Sequence, residues 1–261
     1  MSIRGKIFKC GRHRLMCGDA TDKNDVKKLL DGVKVDLLLT DPPYGINVVK
    51  KKYDCIGGDK PYGNVGTTSK NLINKNEFIG YVGTNSTVKA RKYKSIINDD
   101  KPFNPQHLLD LNVPSILFGA NNYSHELPNN SKWIVWYKKP NLNNNNKNFS
   151  DCELAWTNLK GVNVQCYHHT WSGMIREGDR REELKDRIHP TQKPVGLMAT
   201  LLNEYCPKKG VVLDLYGGSG STLIACEKTG RTCYMMELSE DYCKLIMNRF
   251  LDYVKGEQNN K

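Results

Sequence analysis

The chain has 261 residues, 38% hydrophobic and 26% charged, a composition that supports a buried core. It suits one large domain, or one domain carrying an insertion, at roughly 100–200 residues per domain. The longest apolar stretches, such as Val35–Leu39 and Val211–Leu215, fall far short of the roughly 18 residues that span a bilayer. The opening Met1–Lys6 has no apolar signal segment, so membrane and secreted classes are excluded and a cytoplasmic protein is expected. Basic residues number 39 against 28 acidic, and the net charge of +11 favours polyanionic partners. The nine cysteines include no C-x-x-C pair and read as reduced, mostly buried thiols, with no disulfide frame and no metal site.

In chain order, His13–Cys17 reads as a short strand ending in Gly18-Asp19. Thr21 or Asp22 can cap a helix over Lys23–Leu30, whose Val26, Leu29 and Leu30 share one face. Val35–Thr40 is almost wholly apolar, the pattern of a strand buried on both faces of a parallel sheet. It stops at Asp41-Pro42-Pro43-Tyr44-Gly45, because two prolines cannot continue a central strand. Residues 47–104 are rich in Gly, Asn, Lys and Tyr with weak periodicity, and read as an inserted, partly mobile element. Basic and aromatic residues mix there, at Lys50–Lys52 and Lys89–Lys94.

Strands are expected at Ser115–Phe118, Trp133–Trp136 and Glu153–Trp156, with an exposed asparagine-rich turn over Asn141–Asn148. The stretch 158–187 is polar, carries Arg176, Arg180, Arg181 and Arg187, and is a short candidate for target recognition. The last third alternates cleanly: helix Val195–Tyr205 opened by Pro194, strand Val211–Leu215, helix Ser221–Thr229, strand Thr232–Met236, and a helix from about Ser239 to Tyr253.

Two turns carry chemistry. Asp214-Leu-Tyr216-Gly-Gly218-Ser219-Gly220 joins a buried strand to a helix, and its glycines let backbone amides approach a ligand closely. Glu237, at the end of the next strand, stands where a doubly wound fold places a carboxylate for ribose hydroxyls. A ribose-bearing cofactor is indicated, although the strict G-x-G-x-x-G of dinucleotide binders is absent. The Asp41–Tyr44 turn is sharper. Asp41 and the Pro42 carbonyl can accept from an amino group, Tyr44 offers a face for a planar base, and Pro43 stiffens the turn.

Asp41-Pro-Pro-Tyr44 with the glycine turn resembles the S-adenosylmethionine-dependent amino methyltransferases of DNA. The segment His189-Pro190-Thr191-Gln192-Lys193-Pro194 is similar to the one that precedes the cofactor loop in that family. The order of the three motifs resembles the circularly permuted beta group, over roughly 10–46, 105–157 and 187–250. The resemblance implies a mostly parallel, seven-stranded, Rossmann-like sheet. The C-terminal part would supply its first two strands and the N-terminal part its third and fourth. Both turns then meet at the switch-point crevice, with Asp19 beside the cofactor's adenine.

The resemblance also implies methyl transfer to DNA, to N6 of adenine because Asp stands first in the motif, with N4 of cytosine as the alternative. Asp41, Pro42, Pro43 and Tyr44 would be catalytic. Asp19, His189, Thr191, Gln192, Lys193, Pro194, Asp214, Tyr216, Gly218, Ser219, Gly220 and Glu237 would hold S-adenosylmethionine. DNA is the implied partner; a homodimer and a cognate restriction endonuclease stay open. A nicotinamide dehydrogenase would leave both the Asp41–Tyr44 turn and the His189–Pro194 segment without a purpose, and a DNA-binding subunit without catalysis has no need of intact motifs.

Overall fold

The computed structural model describes residues 2–46, 79–82, 86–89, 96–129, 132–140, 150–161, 163–172, 175–177 and 191–259. Lys50–Lys52, Asn141–Asn148, Arg180, Arg181, Arg187 and His189 lie outside them, as does most of Lys89–Lys94.

Chain order begins with β1 (Ile7–Cys10), β2 (His13–Cys17), α1 (Lys23–Leu30) and β3 (Leu37–Thr40). A hairpin follows, β4 (Ile79–Val82) with β5 (Ser86–Lys89), then a single helical turn α2 (Gln106–Leu109) and β6 (Ser115–Phe118). Next come β7 (Trp133–Tyr137), β8 (Cys152–Thr157), β9 (Val164–His168) and the short pair β10 (Trp171–Ser172) and β11 (Ile175–Arg176). The last third is α3 (Val195–Tyr205), β12 (Val211–Asp214), α4 (Ser221–Thr229), β13 (Thr232–Glu237) and α5 (Glu240–Asn259).

Among the described residues, nine strands form one sheet in the order β1-β2-β13-β12-β3-β6-β8-β7-β9. The run β2, β13, β12, β3, β6 is parallel throughout, and β8 is antiparallel to both β6 and β7. The expected seven strands are the inner seven. To these the structure adds β1, a hairpin partner of β2, and β9, which pairs parallel to β7 from within the polar 158–187 stretch. The permuted order is present: β12 and β13, late in the chain, sit between β2 and β3, which are early.

The apolar runs are explained by two-sided burial. Leu37 and Leu39 face one core with Ile116, Phe118 and Val212, covered by α3, α4 and α5. Leu38 faces the other with Leu117 and Leu213, covered by Val26 and Leu29 of α1 and Leu108 of α2. Each such side chain contributes roughly 1.5–3 kcal/mol on leaving water. Asp22, not Thr21, caps α1 by accepting from the Asn24 amide at 2.8 Å. No helix among the described residues is long and apolar enough to cross a membrane.

One polar contact joins the strand ends that matter most. Thr40 Oγ1, at the end of β3, donates to Asp214 Oδ1, at the end of β12, at 2.7 Å in the interior. Burial lifts the Asp214 carboxyl to about 6, although Thr222, Thr40 and the Tyr216 amide hydrogen-bond to it. Folding therefore raises the proton affinity of Asp214. Its contribution to stability is complete at acid pH and is lost as pH climbs from the ordinary carboxylate range through about 6. The Thr40 hydroxyl matters most to the ionised form, so Thr40→Val should cost about 1–3 kcal/mol in urea unfolding at pH near 8. At pH near 5 the cost should be visibly smaller; equal costs at the two pH values would contradict this account.

Candidate active site

The glycine turn leaves β12 and enters α4. The Gly217 amide donates to Met236 O at 2.8 Å and the Gly218 amide to Glu237 Oε2 at 2.8 Å, so the turn is bound to the end of β13. Gly220, at φ +78°, is the residue before α4, and a Cβ there would lie 3.0 Å from Ile246 of α5. Glu237 Oε1 accepts from the Ser239 amide at 2.8 Å. Burial raises the Glu237 carboxyl to about 7 in spite of these amides.

The acidic-proline turn leaves β3 beside it. The Tyr44 hydroxyl donates to Asp41 Oδ1, and Lys193 Nζ lies 2.5 Å from Asp41 Oδ2 and 3.1 Å from the Tyr44 oxygen. Three successive amides, of Tyr44, Gly45 and Ile46, converge on Asp99 Oδ1 at 3.1, 3.1 and 3.3 Å. Gly119, at φ +67° after β6, is required by the tyrosine, since a Cβ there would lie 1.9 Å from Tyr44 Cε1. Lys193 also reaches Glu153 Oε2 at 3.2 Å, while Lys138 Nζ holds Glu153 Oε1 at 3.0 Å. Burial works against the Lys193 charge, but Asp41 and Glu153 together hold the ammonium above the usual lysine value. Burial likewise works against ionised Glu153, and Lys193 and Lys138 outweigh it, keeping that carboxyl below its usual value.

Both turns face one cavity of about 720 Å³. Asp41, Pro42 and Pro43 line it from β3, and Asp214, Tyr216, Gly218, Ser219 and Glu237 line it from β12 and β13. Asp19 lines it too, its Oδ1 accepting from the Thr21 amide and hydroxyl at 2.9 and 2.7 Å, and it does not cap α1. Thr191, Gln192 and Lys193 complete that wall.

Three of the residues singled out stand beside the cavity without lining it. Tyr44 packs on Gly119 with its hydroxyl on Asp41. Pro194 is at the cap position before α3, one residue ahead of its first turn, and Gly220 is at the cap of α4.

Sequence reading missed several residues. Phe103 and His107 line the cavity and meet Tyr216 edge-on, with Phe103 centroids 5.7 Å from His107 and 5.8 Å from Tyr216. His107 Nε2 lies 2.8 Å from the Tyr216 hydroxyl. Asp99, Lys138 and Glu153 carry no motif signal; only their distant contacts reveal them.

A family model described as DNA methylase (N6_N4_Mtase) matches residues 35–248. The type II methyltransferase M.ScaI of Streptomyces caespitosus is 24% identical over 232 residues, 82% of this chain and 74% of that protein. Among solved structures, the M1.HpyAVI-SAM complex is similar with a TM-score of 0.46 at 18% identity, covering 90% of this chain and 98% of that one. The PvuII DNA methyltransferase, described as cytosine-N4-specific, is similar with a TM-score of 0.47 at 13% identity, covering 95% and 93%. The family match runs from the strand before Asp41 to the last helix, taking in both turns and the cavity between them, and the chain therefore belongs to the N6/N4 family of DNA methylases.

Proposed function

We propose that this DNA methylase moves a methyl group from S-adenosylmethionine to the N6 amino group of adenine, with the base swung out of the duplex. The observation that carries the reading is the shared cavity, with the Asp41 carboxylate on one wall and the glycine turn and Glu237 on the other. Its volume suits a ligand of cofactor size, typically about 300–1,000 Å³. Glu237 and Asp19 offer a carboxylate pair fit for ribose hydroxyls and an ammonium group, and the glycine turn brings its backbone close to the same cavity. The methyl donor is S-adenosylmethionine, which when bound supplies an electrophilic methyl on a sulfonium.

An exocyclic amine is a weak nucleophile because its lone pair is delocalised into the ring. Asp41 and the Pro42 carbonyl would accept its two hydrogens, favouring a pyramidal nitrogen whose lone pair points at the methyl. As the nitrogen–carbon bond forms and the carbon–sulfur bond breaks, positive charge grows on nitrogen. The Asp41 carboxylate stabilises that charge, and the nitrogen then sheds a proton to solvent. Tyr44, with its ring on Gly119 and its hydroxyl on Asp41, holds the acceptor in place rather than offering a stacking face, and unstacking the base costs roughly a few kcal/mol. Asp in the first motif position supports adenine over cytosine.

Transfer of a tritiated methyl group to unmethylated DNA, followed by digestion to nucleosides, tests the reading directly: tritium should run with N6-methyl-2′-deoxyadenosine, whereas label in N4-methyl-2′-deoxycytidine would overturn the choice of base. Asp41→Ala should bind S-adenosylhomocysteine within about twofold of wild type and lose roughly 10²–10³ or more in turnover. Robust methyl transfer by that variant would remove Asp41 from its role.

Cofactor affinity should also depend on pH. Glu237, lifted to about 7 by burial, is protonated below that value and offers ribose hydroxyls a poorer acceptor. Calorimetry with S-adenosylhomocysteine from about pH 8.5 down to about pH 5.5 should show Kd rising by up to tenfold per pH unit below about 7. Glu237→Gln should bind more weakly and flatten the curve; an unchanged slope would assign the dependence to another group.

A further inference from the structure

Four charged side chains, two carboxylates and two ammoniums, alternate behind the catalytic turn in the order Asp41, Lys193, Glu153, Lys138. Both Asp41 oxygens are engaged by the protein's own donors, Oδ1 by the Tyr44 hydroxyl and Oδ2 by Lys193. The carboxylate meant to accept from a base amine is thus held by a cation. That cation would oppose the positive charge growing on the amine nitrogen, since like charges repel strongly where water is excluded.

The second carboxylate offers a way out. Glu153 lies on β8, opposite Trp136 of β7, and belongs to none of the sequence motifs. Its Oε1 is satisfied by Lys138 at 3.0 Å. Its Oε2 is buried and makes no hydrogen bond of proper geometry among the described residues, although Lys193 Nζ is only 3.2 Å away. Lys193 thus touches both carboxylates but sits closer to Asp41, at 2.5 Å against 3.2 Å, so a small shift would tighten its contact with Glu153. Lys193 is itself 6% exposed, and its ammonium lies 5.2 Å from the Phe118 ring centroid and 5.7 Å from that of Tyr44, faces that support a cation along a short path.

We propose that Lys193 is a placeholder for the target amine and Glu153 its receiver. When the amine arrives, the Lys193 ammonium moves from Asp41 Oδ2 to Glu153 Oε2, freeing Asp41 Oδ2 to accept from the amine. No proton changes hands, and the charges of the four groups stay balanced. Glu153 is a positioning residue, acting through Lys193. The inference rests on Asp41 as the amine acceptor, and holds for adenine and cytosine amines alike.

The test uses the full chain and tritiated S-adenosylmethionine with unmethylated phage lambda DNA, alongside S-adenosylhomocysteine binding without DNA. Glu153→Gln pins Lys193 on Asp41. It should lower kcat at least about tenfold and change cofactor Kd less than about twofold. Adding Lys193→Met removes the pinned cation, so the double variant should turn over at least about tenfold faster than Glu153→Gln alone. A merely structural Glu153 predicts a double variant no faster than the single one, and that result, or wild-type turnover by Glu153→Gln, overturns the proposal.

A structure of the wild-type chain with S-adenosylhomocysteine and a duplex bearing the site read from its own product decides the matter without a variant. Lys193 Nζ on Glu153 supports the transfer, and Lys193 still on Asp41 refutes it. If only N4-methylcytosine forms, the choice of adenine fails and this inference stands. If the wild-type chain transfers no methyl to DNA, both fall.

Discussion

Two parallel strands from opposite ends of the chain, β3 and β12, lie side by side at the centre of the sheet, with Val212 opposite Leu37 and Leu213 opposite Leu38. Because the pair is parallel, the turns at their carboxyl ends leave the same edge. From β12 the sheet continues to β13 on one side, and from β3 to β6 on the other, so the connections diverge and leave a crevice between them. Asp36 fixes the pair at its start, donating its amide to Val211 O at 2.9 Å and accepting from the Val211 amide at 2.8 Å. The Thr40–Asp214 bond fixes it at the other end. With both ends tied, the methyl-donor wall and the amine-acceptor wall cannot separate without breaking the middle of the sheet.

The carboxylates around that crevice are handled in two physical ways. Asp214 and Glu237 are given hydroxyls and amides but, among the described residues, no cation, and burial lifts them to about 6 and about 7. Asp41 and Glu153 are given lysines; these hold Glu153 below its usual value, whereas burial still leaves Asp41 above its own. Buried ion pairs add little net stability, because desolvation offsets most of their attraction. The Asp41–Lys193–Glu153–Lys138 chain is therefore better understood through what it does to the acceptor at Asp41 than as a contribution to folding. Fixed donors on Asp214 and exchangeable ones on Asp41 fit the difference between a structural joint and a reacting surface.

The parts legible in the sequence were those whose signal is local. Leu37–Leu39 gave its strand away because both faces of a central parallel strand are apolar, and Asp41-Pro-Pro-Tyr44 gave its turn away because proline cannot pair inside a sheet. By contrast β9 carries no such signal. It is an edge strand with Val164 59% exposed, so its side chains carry no buried periodicity. The four-residue β1 was equally silent, as its pairing with β2 depends on the hairpin and not on a long apolar pattern. At the site, Asp99 acts on amides 53 to 55 positions earlier, and Lys193 meets Asp41 across 152 positions. Contacts of that kind are set by topology, and no spacing rule in one sequence encodes them.

Permutation leaves the crevice unchanged but alters how it must be assembled. In an unpermuted doubly wound chain the strand carrying the glycine turn precedes the one carrying the catalytic turn. Here β3 is made early and its central neighbour β12 late, and the Thr40–Asp214 bond closes a separation of 174 positions. Closing a long loop costs only slowly more entropy with length, about 0.6 kcal/mol per doubling, so the final stability need not suffer. The rate is another matter, since non-local parallel pairing must be reached before its contacts repay the ordering of the chain. Until β12 docks, β3 exposes an apolar edge and Asp41 has neither the Lys193 ammonium nor the facing glycine turn. The cavity, and with it the capacity to bring donor and acceptor together, comes into being only when the last third of the chain enters the middle of the sheet.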